Sequence, residues 1–211
     1  MKIIALIFTL VTFASFGQDA KAQGIIDKLS KKINSEKSFY LEFTANTTNS
    51  DTGTDITITG KGWVKADKYY ASLGDNTVIS NGLKTWTVVK EEKTTYVADA
   101  DDEDEESMNP KKLMTLWETG FKSKYFKEET LNGEKVHKIY LYPLKPASVD
   151  YTQLVLYISV QSNEMVRVIM KMKDQTKMTY TVKKYTSNPE ISDSKFLYDK
   201  AKYPGYKLIE G

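Results

Sequence analysis

Between Phe39 and Tyr185 apolar and polar residues alternate with a period of two, in runs broken by short polar turns such as Asn81-Gly82, Asn132-Gly133 and Asp174-Gln175. A period of two sends alternate side chains to opposite faces, which a strand satisfies and a helix does not. Phe39, Leu41, Phe43 and Ala45 alternate with Tyr40, Glu42, Thr44 and Asn46. Ile56, Ile58, Gly60, Gly62 and Val64 then oppose Asp55, Thr57, Thr59 and Lys61, and past a turn at Ala66 and Asp67 the pattern resumes with Tyr69, Ala71 and Leu73. Gly60 and Gly62 lie on the apolar face, where missing side chains let a sheet bend or another element approach. Further runs at NTVIS, LKTWTVV, TTYVA, FKSKYFKEE, VHKIYLYP, YTQLVLYISV, MVRVIMKMKD and TKMTYTVKKY predict roughly ten antiparallel strands in a meander. Several of these, Met165 to Met172 above all, are apolar on both faces. A sheet this large has to curl, close or be covered.

Helices are few. Ile25, Ile26, Leu29 and Ile33 recur at helical spacing among polar neighbours, predicting one amphipathic helix. Asn109-Pro110 reads as an N-cap followed by proline at the first helical position, with Leu113, Met114, Leu116 and Trp117 filling a short helix closed by Gly120. This second helix follows the acidic run Asp99 to Glu106, which reads as a solvated loop, and is a candidate cover for the curled sheet. The tail from Ser192 reads as a short strand or extended arm.

The 211 residues carry 30 basic and 28 acidic side chains, a formal net charge of +2, so nucleic acid is not expected as a partner. Arg167 is the one arginine, which leaves almost no bidentate grip on phosphate or carboxylate. The absence of cysteine excludes disulfides, thiolate metal sites and a cysteine nucleophile. His137 is the one histidine and reads as an exposed or edge-strand residue; no metal site, cofactor or catalytic residue is expected, and the chain is not read as an enzyme. Lys2 followed by the apolar run Ile3 to Phe16 and by small residues reads as a signal peptide over residues 1–22, cleaved after Gly17 or Ala22. At about 14 residues the run is shorter than the roughly 20 a spanning helix needs. Residues 23–211 are expected to form a single exported, soluble domain.

In order, the segments SFYLEFT, GKGWVKADKYY, VISNGLKTWTV, NPKKLMTLW and SDSKF resemble the periplasmic outer-membrane lipoprotein carriers, the LolA family of Gram-negative bacteria. The likeness spans residues 22 to 210 and includes the spacing of Ser80, Gly82 and Trp86. It implies a mainly β protein with two to three short helices, built as an unclosed, strongly curved antiparallel β-barrel with a helical lid over an apolar cavity. It further implies a monomeric periplasmic chaperone that takes acylated lipoproteins from an inner-membrane ABC release complex and delivers them to the outer membrane, or to an outer-membrane acceptor where one exists. The lipid-binding cavity is expected to be lined by Phe39, Leu41, Phe43, Ile58, Val64, Tyr69, Leu73 and Trp86, with Leu113, Met114, Leu116 and Trp117 as lid. The family has an arginine directly after W-V-K; Ala66 stands there, and neither Lys65 nor Lys68 offers a guanidinium fork, so the lid latch is replaced or absent. The weaker readings are an envelope lipid- or lipoprotein-sensing binding protein of the related fold, and a lipid or glycan hydrolase, which would need acid and base groups clustered at the cavity mouth.

Overall fold

The computed structural model describes residues 13–100 and 109–210, with side chains from residue 20 onward except those of 111–113. Its elements are α1 (Phe13–Ser35), β1 (Ser38–Asn49), β2 (Thr54–Lys65), β3 (Lys68–Leu73), β4 (Asn76–Ser80), β5 (Lys84–Val89), β6 (Thr94–Asp99), α2 (Pro110–Thr115), β7 (Phe121–Leu131), β8 (Glu134–Pro143), β9 (Tyr151–Ser159), β10 (Met165–Met172), β11 (Lys177–Ser187) and β12 (Lys207–Glu210). All twelve strands lie in one sheet, in the order β12-β6-β5-β4-β3-β2-β1-β11-β10-β9-β8-β7. The first and last strands of that order are not paired, so the barrel is unclosed.

The meander reading holds within two halves, β1–β6 and β7–β11. What joins them is a long-range pairing of β1 with β11, in which Phe39 faces Ser187 and Leu41 faces Tyr185. Among the described residues, twelve strands replace the roughly ten expected from pattern, and β12 runs parallel to β6, the one parallel pair. The turns have the chemistry the sequence announced. Asn132 and Gly133 both take positive φ, 51° and 85°, as a tight hairpin turn demands. Register shifts at Glu42/Phe43, Tyr125/Lys127, Met165/Arg167 and Lys171/Met172 mark bulges, which bend and twist a sheet locally.

Cross-strand partners share a face, so the register sorts the residues. Phe39, Val64 and Tyr69 form one inner row; Leu41, Gly62, Ala71 and Val78 form the next. On the other half Tyr125, Ile139 and Leu156, with Leu141 and Leu154, complete the same concave face. Against it lies α1, whose Ala22, Ile25, Ile26, Leu29 and Ile33 are all buried in one cluster with those rows. The helix is longer than the hydrophobic spacing required and starts within the leader-like segment, passing through both Gly17 and Ala22 without a break.

The tail ends in a short strand, β12, one of its two expected forms, but is not extended before it. Residues Asp193–Phe196 form a 3₁₀ turn in which Ser192 caps the Ser194 N–H, and Phe196 is completely buried. Asp193 accepts from Lys65 at 2.7 Å and Lys68 at 2.9 Å, which pins the tail to the β2–β3 turn. Tyr198 stacks on Trp86 and its hydroxyl lies 3.2 Å from Thr95 Oγ1. The tail thus covers part of the sheet's outer face, where Ile79, Val88 and Val97 are buried.

Candidate functional site

The concave face is the candidate site. At its centre Phe39, Leu41, Val64 and Tyr69 are buried against α1 together with Met114 and Trp117. Toward the β1–β2 hairpin the apolar face continues with less burial. Phe43, Val168, Met170 and Val182 are half-buried at the cluster's margin. Ile58 and Ile56, on the same face by register with Ala45 and Thr47, are 38% and 59% exposed. Leu73 lies opposite Gly60 on this face and is half-buried. Burial raises the Tyr180 phenol above its ordinary pKa, as expected of a hydroxyl held in dry surroundings.

Glycines set how closely the cover approaches. A Cβ on Gly62 would sit 3.0 Å from the Pro110 ring, and one on Gly60 would sit 2.3 Å from the Phe43 ring. The first glycine lets α2 rest on β2, and the second lets an aromatic ring lie flat across the sheet. Both uses match the bend-or-approach reading of this pair.

Three expected residues are placed elsewhere or differently. Trp86 is on the outer face, because the β4–β5 hairpin pairs it with Ile79 and Ile79 faces Tyr70, the outward neighbour of Tyr69. A single residue of hairpin register exchanges the faces of a strand, and the turn at 81–83 decided it. α2 ends at Thr115, so Leu116 and Trp117 follow the helix instead of filling it; Leu116 is 38% exposed while Trp117 is buried. The side chain of Leu113 and the acidic residues 101–108 lie outside the described residues; Asp99, from the start of the acidic run, ends β6.

His137 is neither exposed nor on an edge strand. Its side chain is 12% exposed, on the inner face of β8, with Nδ1 3.5 Å from Glu128 and 3.4 Å from the Tyr125 hydroxyl. Burial is the main cause that lowers its pKa, partly opposed by Glu128. Among the described residues no group of three or more His, Asp or Glu side chains could hold a metal ion.

The contribution of α1 to the site, and of Met165, Leu154 and Leu156 beside it, goes beyond the expected lining. The helical spacing of Ile25 to Ile33 was the available signal, since an apolar stripe needs an apolar partner. Polar anchors hold α1 in place: Lys32 reaches Glu164 at 2.6 Å and the Ser162 carbonyl at 3.2 Å, and Asn34 donates to Glu118 at 2.9 Å. Glu36 accepts from the Tyr185 and Ser187 hydroxyls. Asn34–Glu118 ties α1 to the segment after α2. At the family's arginine position Ala66 has φ 53°, and its N–H reaches the Lys37 carbonyl at 3.3 Å. The buried indole N–H of Trp117 has no hydrogen-bond partner among the described residues.

An open antiparallel sheet curled around a helix, with an apolar concave face left partly uncovered, is the architecture of the lipoprotein-carrier class. The chain belongs to the family described as outer membrane lipoprotein carrier protein LolA, whose model matches residues 10–179. An uncharacterised conserved protein from Thermus thermophilus is similar in structure, with TM-score 0.61 at 9% identity over 90% of this chain and 99% of that one. A LolA superfamily protein from Nitrosomonas europaea gives TM-score 0.46 at 12% identity, over 84% of this chain and 97% of the other. The lipoprotein LppX of Mycobacterium tuberculosis gives TM-score 0.46 at 12% identity, over 82% and 98%. No curated protein matches the chain. No helix of the described residues is long and apolar enough to cross a membrane.

Proposed function

We propose that this chain is a non-enzymatic periplasmic carrier that shields the acyl chains of lipoproteins, receiving them from an inner-membrane ABC release complex and passing them toward the outer membrane. The observation that carries this reading is the apolar surface left uncovered on the concave face: Ile56 and Ile58 remain exposed, and Phe43, Val168, Met170 and Val182, packed at the margin of the cluster that holds α1, are only half-buried. A contiguous exposed apolar surface marks a place for an apolar partner.

Energetics favour exchange between helix and cargo. Each methylene removed from water contributes about 0.8 kcal/mol, so a chain of about 14 methylenes gains about 11 kcal/mol on burial. The four aliphatic side chains Ile25, Ile26, Leu29 and Ile33 gain roughly 6 to 12 kcal/mol, at about 1.5 to 3 each. The two are nearly matched. An acyl chain can therefore replace the helix on the sheet at little net cost, which suits a carrier that must also release. The anchors on α1 are compatible with this, because partly exposed ion pairs such as Lys32–Glu164, 32% and 34% exposed, contribute only about 0 to 1 kcal/mol each.

The signal peptide belongs to the same reading. Ala22 is fully buried and Lys21 lies over the Tyr125 ring at 3.9 Å, which favours cleavage after Gly17, since it leaves both on the mature chain. N-terminal sequencing of the exported protein checks this. The function itself is tested by depleting the protein in its host and fractionating the membranes. Lipoproteins accumulating at the inner membrane are the expected result; an unchanged distribution overturns the reading.

A further inference from the structure

The outer face of the sheet carries a second arrangement, separate from the concave site. Register puts Tyr40, Trp63 and Tyr70 in one row across β1, β2 and β3. Their rings are adjacent, with centroids 4.6 Å apart for Tyr40 and Trp63 and 5.4 Å for Trp63 and Tyr70. The docked tail forms a wall beside the row. Between them is a depression of about 600 Å³ lined by Tyr40, Trp63, Lys184, Glu190, Ser194 and Lys195, among others. A second depression, of about 510 Å³, shares Tyr40 and continues along β1 and β2 past Glu42, Lys61 and Lys183, reaching the margin of the inner face at Phe43 and Gly60. The Lys195 ammonium is 3.8 Å from the Trp63 ring centre and 4.0 Å from that of Tyr70. Lys61 and Lys184 flank the row, over Trp63 and Tyr40.

We propose that this trench binds an acidic oligosaccharide. The rings, with the Lys195 side chain laid over Trp63 and Tyr70, form an apolar floor edged by ammonium groups, on which the C–H face of a sugar ring can pack. Lys61, Lys183, Lys184 and Lys195 supply positive charge for carboxylate or phosphate groups. Lys202 also faces the trench, but lies 3.8 Å from Asp199. Glu190, and Glu42 through lone pairs that Tyr40 leaves free, can accept hydrogen bonds from sugar hydroxyls, while the hydroxyls of Ser192 and Ser194 can donate or accept. Glu42 and Glu190 are interleaved with the lysines, so the trench lacks the excess of cation that phosphate-backbone binding calls for. An alkyl chain is equally unsuited, since it would strip water from ammonium groups with no compensating charge. The two depressions meeting at Tyr40 give the site an elongated form, which favours several linked sugars over one.

Calorimetric titration of the intact chain with trigalacturonate tests the proposal, with its neutral methyl ester and citrate as comparators. Binding of trigalacturonate at least tenfold tighter than either comparator is expected. Equal binding of citrate reduces the site to lysine charge, and equal binding of the ester removes the role of the lysines; both overturn it. Lys195→Gln and Trp63→Ala should each weaken binding about tenfold, the size of one lost charge-assisted hydrogen bond or ring contact to the ligand, whereas Lys122→Gln on β7 should not. Should Trp63→Ala fail to fold, Lys184→Gln with Lys195→Gln serves as the second variant, and unchanged affinity in both overturns the proposal. Phosphatidylcholine vesicles with and without glucuronosyl diacylglycerol distinguish a glycolipid headgroup from a free saccharide: binding to the glycolipid vesicles supports a headgroup source, trigalacturonate binding alone a free one, and binding to neither overturns the site. Lipoprotein distribution is not a readout here, so failure of this site leaves the carrier reading to its own test.

Discussion

Gly62 and His137 show how single positions shape the inner face. Gly62 gives Pro110 its seat, so Gly62→Leu should lift α2 from β2. The expected cost is about 1 to 3 kcal/mol, the usual range for overpacking, read as a lower thermal midpoint with faster hydrogen exchange around residues 109–117. His137 carries a pH signature. Its folded pKa is lowered by burial, so the native state holds its proton less tightly than the unfolded chain, and stability is fully present above the ordinary value of 6.5 and declines as pH falls through it. Thermal midpoints measured from pH 8 to pH 5 should drop more in the wild type than in His137→Gln; parallel curves would mean that the histidine is not held neutral. Neither property was visible in the residue alone. The glycine pair announced a close approach without naming Pro110, and the strand VHKIYLY gave no sign that β7 would shelter its histidine.

The helix α1 and the tail both dock on the sheet, but their anchors differ in kind. α1 is held by an apolar stripe and a few half-exposed polar contacts. Replacing Lys32 by Gln together with Asn34 by Ala should change unfolding free energy by about 1 kcal/mol or less while speeding uptake of a tripalmitoylated lipopeptide, followed by stopped-flow fluorescence. Unchanged uptake would mean that the helix does not move to admit cargo. The tail instead depends on Phe196 and on Asp193, whose carboxyl is held down to a pKa of about 2 by hydrogen bonds from Lys65 and then Lys68. A depressed carboxylate contributes above its ordinary value, near 3.8, and that contribution is lost as pH falls through about 2. Limited proteolysis should therefore leave residues 193–206 protected at pH 4; Asp193→Asn, at an exposed ion pair, should speed their cleavage only a few-fold at neutral pH, whereas Phe196→Ala should expose them. The motif SDSKF was legible as a family signature, yet its role as a clasp on the β2–β3 turn required the fold, because its partners are more than a hundred residues earlier in the chain.

The whole molecule is a curled sheet with an apolar concave face and an outer face that carries a row of aromatic rings among lysines. Ile58→Asp, at a site already 38% exposed, should leave the thermal midpoint nearly unchanged and weaken lipopeptide binding about tenfold, roughly 1.4 kcal/mol; equal losses in folding and binding would count against a lining role. The strands, their turns and the presence of an apolar helix were readable from the chain, because period-two alternation, Asn-Gly turns and helical spacing are local consequences of backbone geometry. The inner face from Phe39 to Tyr69 was readable for the same reason, since those residues lie on strands in unbroken alternation. Trp86 was not, because its face depends on the register across one hairpin, and a hairpin register is a property of two strands. The pairing of β1 with β11, the seating of α1 in the hollow and the folding of the tail across Trp86 are contacts between distant segments. Local pattern fixes which side chains want burial; only packing of the entire chain selects which surface buries them and which stays open.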